Sequence, residues 1–362
     1  MNTPEFTDWL GYEPYGFHAK QKAAALSQAL AQLTSWHVSQ CPEYRRILDS
    51  LGVNTQSIQR LEDIPFIPVR LFKEFDLLSI ARENIFKTMT SSGTTGQQVS
   101  KIFLDRETAS LQTKVLSQLM RHLLGKKRLP MLIIDSSSVL KDRSAFSARG
   151  AGILGFSMFG QNVTYALDES MNLDIQAIEA FLAEHPDGPV FIFGFTFMVW
   201  QYFVLPLQEQ KLRLLLDQGV LLHGGGWKKL QDHAVDNNAF REALNAVACI
   251  KKVVNYYGMV EQTGSLFMEC EAGHLHTPVY ADVIVRTAKD FGIAEQGEEG
   301  ILEVLSMLPR SYPGHALLTE DVGVIIGEDD CLCGRLGKYF HVHGRLAKAE
   351  VRGCSDTHET RT

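Results

Sequence analysis

The sequence predicts a layered α/β domain built on a parallel sheet, with a smaller β-rich lobe after it, on three observations. Short apolar runs at Met131–Ile134, Val190–Phe193, Val220–Leu222 and Val253–Tyr257 alternate with helical patterns, as parallel strands joined by crossover helices do. Beyond about Cys270 the style changes to β-rich segments with tight turns, at Val279–Val285, Gly300–Leu305 and Val322–Ile326. Third, 362 residues at 45% hydrophobic and 21% charged are an ordinary globular composition, long enough to bury roughly three quarters of the unfolded surface without disulfide staples. No internal repeat or long Gly/Ser linker intervenes, so the division is drawn softly: 1–269 as α/β core with an N-terminal helical segment, 270–345 as β-rich lobe, 346–362 as flexible tail.

In chain order, Met1–Leu10 carries Glu5 and Asp8 and has no basic leader followed by an apolar stretch, so no secretory signal is expected. Six cysteines are too sparse for a disulfide scaffold, and a reducing, cytoplasmic compartment is expected. Ala19–Trp36 is rich in Ala, Leu and Gln at helical spacing, and a second helix is expected over Glu43–Leu51, stopped by Gly52. Pro65 and Pro68 make Ile64–Phe75 an extended packing segment. Helical patterning returns over Arg106–Leu124.

Gly188–Gln208 is uncharged and close to membrane-spanning length. Gly194, Gln201 and Pro206 interrupt it, and its opening reads as a strand, so it is a buried strand-turn-helix segment and no membrane span is expected. Its aromatic residues, Phe191 to Phe203, are core or line an apolar ligand pocket. With 35 basic against 42 acidic residues the net charge is −7, the wrong sign for a nucleic-acid binder.

Five motifs carry candidate chemistry. In Thr90-Ser91-Ser92-Gly93-Thr94-Thr95-Gly96, followed by Gln97 to Lys101, glycines let backbone N–H groups converge and hydroxyls add donors, which suits a polyphosphate. The alternative is a solvated turn; it is not a P-loop, because Gln97 follows the second glycine. His223-Gly224-Gly225-Gly226-Trp227-Lys228 follows a strand-like run, where open α/β sheets bind nucleotides; alternatively it is a tight loop with Trp227 as a core plug. In Tyr256-Tyr257-Gly258-Met259-Val260-Glu261 the carboxylate can hold magnesium and the ring can stack on a base, or the glutamate is a surface group. Thr319-Glu320-Asp321 and Gly344-Arg345 offer a ribose-diol acceptor and a phosphate or sugar grip. Ser136-Ser137-Ser138 lacks the G-x-S-x-G elbow of a serine hydrolase.

Late in the chain, Cys270, His276, Cys331 and Cys333 have the spacing of two knuckles that could close a tetrahedral structural zinc site. His274 is an alternative ligand, and separate reduced thiols and imidazoles in turns are the bland reading. Cys41 and Cys249 have no partners by spacing and are taken as packing residues.

The order SSGTTG, GGGW, YGxxE, TED, GR resembles the adenylate-forming superfamily, whose members join a carboxylic acid to AMP. The closer likeness, from Pro65 to Cys354, is to the acyl-protein synthetase (LuxE) family: SGTTGQxxSK, GGGWK, YGMVEQTGS and a terminal EVRGC. The resemblance implies an adenylate-forming fold, with ATP bound by Ser91 to Gly96, Gly224 to Gly226, Tyr257, Gly258, Asp321 and Arg345. It places magnesium on Glu261 and puts Lys101 with Glu261 among the catalytic residues. Val260 stands where larger relatives have threonine, and the mobile C-terminal domain with its catalytic lysine is expected to be absent.

In the family a cysteine near the C-terminus carries the acyl group, and Cys354 is the matching position. Arg352 would favour its thiolate, Gly353 gives the chain freedom, and the stretch from Arg345 reaches up to about 30 Å when extended. The implied activity is ATP-dependent acyl-protein synthesis from a fatty acid or other carboxylic acid, with onward transfer to an acyl reductase. Two alternatives stay open: ligation to coenzyme A or a carrier protein through the same acyl-AMP, or a non-catalytic nucleotide-binding scaffold.

Overall fold

The structure is a computed structural model that describes residues 7–91, 98–140, 148–227 and 234–346. The helices are α1 (Ala19–Gln40), α2 (Pro42–Ser50), α3 (Leu71–Glu74), α4 (Arg106–Leu124), α5 (Ala148–Ser157), α6 (Ile175–Glu184), α7 (Thr196–Val199), α8 (Leu205–Glu209) and α9 (Asn237–Ala248). Strands β1 (Ile67–Pro68), β2 (Lys87–Thr90) and β3 (Lys101–Leu104) precede β4 (Leu129–Ser136), β5 (Gly160–Leu167), β6 (Val190–Phe195), β7 (Gly219–Gly224) and β8 (Lys252–Tyr257). They are followed by β9 (Phe267–Glu269), β10 (Leu275–His276), β11 (Ala281–Arg286), β12 (Glu299–Ser306), β13 (Ala316–Glu328) and β14 (Lys338–Arg345). Contacts divide the chain into two compact units: Met1–Ser91 with Gln97–Leu119 and Gly258–Glu350, and Ser92–Gly96 with Met120–Tyr257 and Val351–Thr362.

In the first unit, α1 turns Leu26, Leu30, Leu33 and His37 inward. Cys41 caps α2 by accepting a hydrogen bond from the Tyr44 N–H, with Pro42 at the first turn where no donor is needed. Gly52, at φ +65°, follows the end of α2. The antiparallel strands run in the order β11-β12-β13-β14-β10-β9. β1 adds to β13 in parallel, pairing Ile67 with Leu317. The extended reading of Ile64–Phe75 therefore holds as far as Pro68, and α3 forms one helical turn beyond the second proline. Lys22 is buried, and its ammonium meets the Thr277 hydroxyl and, at 3.5 Å, Asp282. Burial pulls its pKa down and Asp282 opposes the fall.

The second unit is a parallel sheet in the order β8-β7-β6-β4-β5. Leu132, Ile134, Ile192, Leu221 and Val253 from its strands pack with Phe203, Leu207, Phe240 and Leu244 from the helices. The sequence reading found four of these strands but not β5, an edge strand whose residues 161–163 are exposed, so it shows no apolar run. Gly160 opens β5 because a Cβ there would strike the Met131 side chain. The uncharged stretch is strand β6, helix α7, a wide π-type turn over Trp200–Val204, and α8, which carries Pro206 in its first turn. Among the described residues no helix is long and apolar enough to cross a membrane.

A buried histidine pair ties α1 to the segment before β13. His37 and His315 are fully buried, with rings stacked at 4.8 Å. His37 donates through Nε2 to the Pro309 carbonyl at 3.2 Å, so its Nδ1 accepts from the Ser79 hydroxyl at 2.7 Å. Thr34 spends its hydroxyl proton on the Leu30 carbonyl and so accepts from His315 Nε2 at 2.9 Å. Burial holds His315 down at about 3 and His37 well below its usual value, each neutral in the folded state.

An unfolded histidine titrates near 6.5, so stability carried by these neutral rings is complete above that pH and is lost as the pH falls toward their folded values. Each ring should cost about 1.4 kcal/mol per pH unit below 6.5. The urea midpoint is expected to drop between pH 6.5 and 5, with a shallower slope in His315→Gln; equal slopes would show that this ring is not the sensor.

Candidate functional site

The hydroxyl-glycine motif lies in sequence between two paired strands. β2 and β3 pair antiparallel with Thr90 opposite Lys101. At the neck, Ser91 N–H donates to the Ser100 carbonyl at 3.1 Å, and Ser100 N–H donates to Ser91 Oγ at 2.9 Å. Ser91 and Ser100 thus close the base of the loop, and Lys101 lies exposed at the start of β3. Ser92, Gly93, Thr94, Thr95 and Gly96 lie outside the described residues, as do Lys228 and Cys354.

Glu261 sits in the 3-10 turn Val260–Gln262 and is only 7% exposed. The surface-group reading of this glutamate therefore fails. Burial pushes its carboxyl above the ordinary range, against the pull of the Ser100 hydroxyl and the Arg345 guanidinium. The Ser100 hydroxyl stands within electrostatic reach of the carboxylate rather than in a closed hydrogen bond. Tyr312, also fully buried, has its phenol raised by burial and further by Glu261. Gly314 lets these groups approach: a Cβ there would overlap the Tyr312 ring and lie 2.9 Å from the Glu261 carbonyl. Beside Glu261, the Thr263 hydroxyl donates to the Val260 carbonyl at 2.7 Å.

Asp321 and Arg345 are register partners across β13 and β14, with Nε 3.5 Å from Oδ1. Thr319 fixes the strand at this point, accepting from the Asp321 N–H at 3.1 Å and donating to the Leu302 carbonyl at 2.8 Å. Through Arg345, which also acts on Glu261, the first unit brings together Ser91, Ser100, Glu261, Asp321 and Arg345. Ser100 and Tyr312 were not on the sequence-derived list. Ser100 lay inside the quoted loop motif; nothing local in the sequence marks Tyr312.

In the second unit the glycine run ends β7. A Cβ on Gly224 would lie 2.7 Å from the Tyr256 ring, and one on Gly225, at φ +82°, 2.9 Å from Phe195. The chain's own rings therefore require those two glycines, whereas Gly226 at φ +65° has open space. Trp227 packs on Trp200 and Phe240, in the core-plug manner. Before the run, His223 Nδ1 donates to Thr196 Oγ1 at 3.0 Å, since that hydroxyl spends its proton on the Gly224 carbonyl at 3.1 Å. Tyr257 closes β8, half-buried. In the first unit, a Cβ on Gly258 would meet Leu266 at 2.6 Å.

The four sulfur and nitrogen donors converge. One ligand atom from each of Cys270, His276, Cys331 and Cys333 lies within 4.8 Å of the others. Cys270 and Cys331 sulfurs are 3.8 Å apart, and Cys333 Sγ is 3.3 Å from His276 Nε2. Thiolates on zinc at about 2.3 Å stand about 3.8 Å apart in a tetrahedron, so the set fits that ion. Burial, then Arg335, lowers His276 to about 3, keeping the imidazole in its neutral, metal-binding form. His274 is engaged elsewhere, with its Nδ1 2.8 Å from His341 Nε2. The knuckles turn at Gly273 (φ +83°) and Gly334 (φ +78°), and the Arg335 N–H donates to Cys333 Sγ at 3.4 Å.

The architecture is shared with solved adenylate-forming enzymes. Against 2-hydroxyisobutyryl-CoA ligase in the postadenylation state with R3-HIB-AMP the TM-score is 0.66 at 16% identity, covering 91% of this chain and 69% of that one. An open conformation of that ligase with 2-HIB-AMP and CoA gives 0.67 at 16% identity, over 92% and 79%. The fold, taken with the family match over nearly the whole chain, makes this an enzyme of the adenylate-forming ligase class. Within that class, residues 7–361 match the family described as acyl-protein synthetase, LuxE, and the chain belongs to it. It is 21% identical over 357 residues to the long-chain-fatty-acid–luciferin-component ligase of Vibrio harveyi, covering 94% of this chain and 89% of that protein. A phenylacetate-coenzyme A ligase of Thermus thermophilus is 35% identical over 85 residues, 22% of this chain and 19% of the other.

Gly314→Ala forces a methyl against Tyr312 and the Glu261 turn and should destabilise the protein by about 1–3 kcal/mol. The measurement is the shift in urea midpoint, and an unchanged midpoint would show that the Glu261 turn has slack to yield.

Proposed function

We propose that the protein is an ATP-dependent acyl-protein synthetase acting on a fatty acid. The observation that supports this most directly is the assembly, in one unit, of buried Glu261, the Asp321–Arg345 pair and the Ser91–Ser100 pairing that flanks the hydroxyl-glycine motif. The Vibrio harveyi relative, a long-chain-fatty-acid–luciferin-component ligase by name, points to an aliphatic acid. We assign the reaction to the cytoplasm, where ATP is supplied and free thiols such as Cys354 stay reduced.

In the first step an oxygen of the substrate carboxylate attacks the α-phosphorus of ATP, the bond to the bridging oxygen breaks, and pyrophosphate leaves with that oxygen. Ser91 and the loop Ser92 to Gly96 cradle the phosphates, with Lys101 following them in the motif. Asp321 accepts from the ribose hydroxyls, Arg345 beside it helps hold the sugar, and Gly224 to Gly226, Tyr257 and Gly258 are assigned to the adenine. Glu261 would hold magnesium, which takes one or two carboxylates plus substrate phosphates and offsets charge building on them. A carboxylate kept out of water with a raised pKa, as here, gains from such a cation.

In the second step the Cys354 thiolate attacks the acyl carbon, the bond to the AMP oxygen breaks, and the thioester forms as AMP leaves. An acyl reductase is the proposed recipient. The phenylacetate-coenzyme A ligase stretch keeps a second acceptor in view, coenzyme A or a carrier thiol, with Cys354 then incidental.

Fatty-acid-dependent exchange of labelled pyrophosphate into ATP should be present, and roughly 100-fold weaker in Glu261→Gln. No exchange across a broad panel of acids would leave only a nucleotide-binding scaffold. With labelled acid and ATP the chain should acquire a hydroxylamine-labile label that Cys354→Ser abolishes; a label that survives moves the acceptor elsewhere.

The zinc assignment has its own test. Protein prepared without chelator should carry about one zinc ion per chain by elemental analysis, lost in Cys331→Ser together with some of its stability. Metal-free native protein with all four donors reduced would remove zinc from the reading.

A further inference from the structure

We propose that Gln262 is a positioning residue that sets where the Glu261 carboxylate points, and hence how well the site holds a divalent cation. The inference rests on the magnesium role proposed for Glu261.

Glu261 lies in a turn of three residues, held locally by the Gln262 N–H on the Met259 carbonyl at 3.2 Å and by the Thr263 N–H and hydroxyl on the Val260 carbonyl at 3.3 and 2.7 Å, all within the turn itself. The Gln262 side chain ties the turn outward. Gln262 is 1% exposed, and its Nε2 donates to the Val304 carbonyl at 2.9 Å and the Gly314 carbonyl at 2.8 Å. Both partners are acceptors, so the amide orientation is forced and both N–H protons are used. The first bond ties the turn to β12 and the second to Gly314, where a Cβ would overlap the Tyr312 ring and crowd the Glu261 backbone carbonyl. The Gln262 side-chain oxygen Oε1, buried, has no hydrogen-bond partner among the described residues. An amide retained at that cost is there for its two donors.

The neighbourhood points the same way. Tyr312 OH is buried with no partner among the described residues, and it stands close enough to Glu261 to feel its charge. A hydrated cation at Glu261 would offer such a hydroxyl a bound water, provided the carboxylate keeps its place. Outer contacts that orient a ligating group typically change metal affinity by about 10- to 100-fold when removed.

The test is manganese binding, followed by its electron paramagnetic resonance signal, in the full chain with a non-hydrolysable ATP analogue, beside pyrophosphate exchange over a magnesium titration. Gln262→Met keeps the volume and removes both donors; Gln262→Asn keeps the amide but shortens its reach, and serves if the first variant does not fold. Ser265→Ala is the control for plain destabilisation, because Ser265 pairs with Ser306 at 2.6 Å in the same interior. Folded Gln262 variants should bind manganese at least about 10-fold more weakly and need correspondingly more magnesium for exchange, while Ser265→Ala binds like the parent. Parental manganese affinity in a folded Gln262 variant, or equal weakening in Ser265→Ala, overturns the proposal. If the parent protein itself neither exchanges pyrophosphate nor binds manganese with nucleotide, the underlying reading of Glu261 fails, and this inference with it.

Discussion

Keeping the Glu261 carboxylate out of water is the constraint around which the first unit is arranged. Desolvation opposes its charge, and the structure answers with a guanidinium, a hydroxyl and shaped backbone rather than with a salt bridge closed upon it. The arrangement leaves the carboxylate's charge incompletely compensated, as the proposed cation role would require. A fully paired carboxylate would be more comfortable and less useful.

The same unit contains buried polar groups of a different kind. His37 with His315, and Lys22 with Asp282, link α1 to segments far away in sequence, and each pairing is directional. Such contacts add less net stability than apolar packing of equal volume, but they admit few alternative registers. The Cys/His knuckles stand between these roles: their glycine turns and inward sulfurs form a closed donor set, suited to holding β9, β10 and the turn before β14 together rather than to turnover.

The glycine run after β7 shows how one motif can serve two purposes. Gly224 and Gly225 are needed because Tyr256 and Phe195 occupy the space a Cβ would fill, and Gly226 alone faces open space. Packing therefore explains most of the run before any ligand is invoked, and the proposed adenine role falls chiefly on Gly226 and Tyr257.

By itself the sequence was enough to determine the class of fold, the four inner strands of the parallel sheet, α1, α2 and α4 to within a few residues, and the donors that gather as a metal-ligand set. These are consequences of local pattern: apolar runs, helical spacing, and cysteines beside glycine turns. Strand β5 escaped because an exposed edge leaves no apolar run, and α3 because one turn after a proline has no periodicity to show. Only the tertiary structure decided that Glu261 is buried, that His276 rather than His274 joins the sulfurs, that Asp321 lies opposite Arg345, and that Gln262 grips the Val304 and Gly314 carbonyls. Burial and strand register are set by partners distant along the chain, and a glutamine that grips two remote carbonyls leaves no trace in its own neighbourhood.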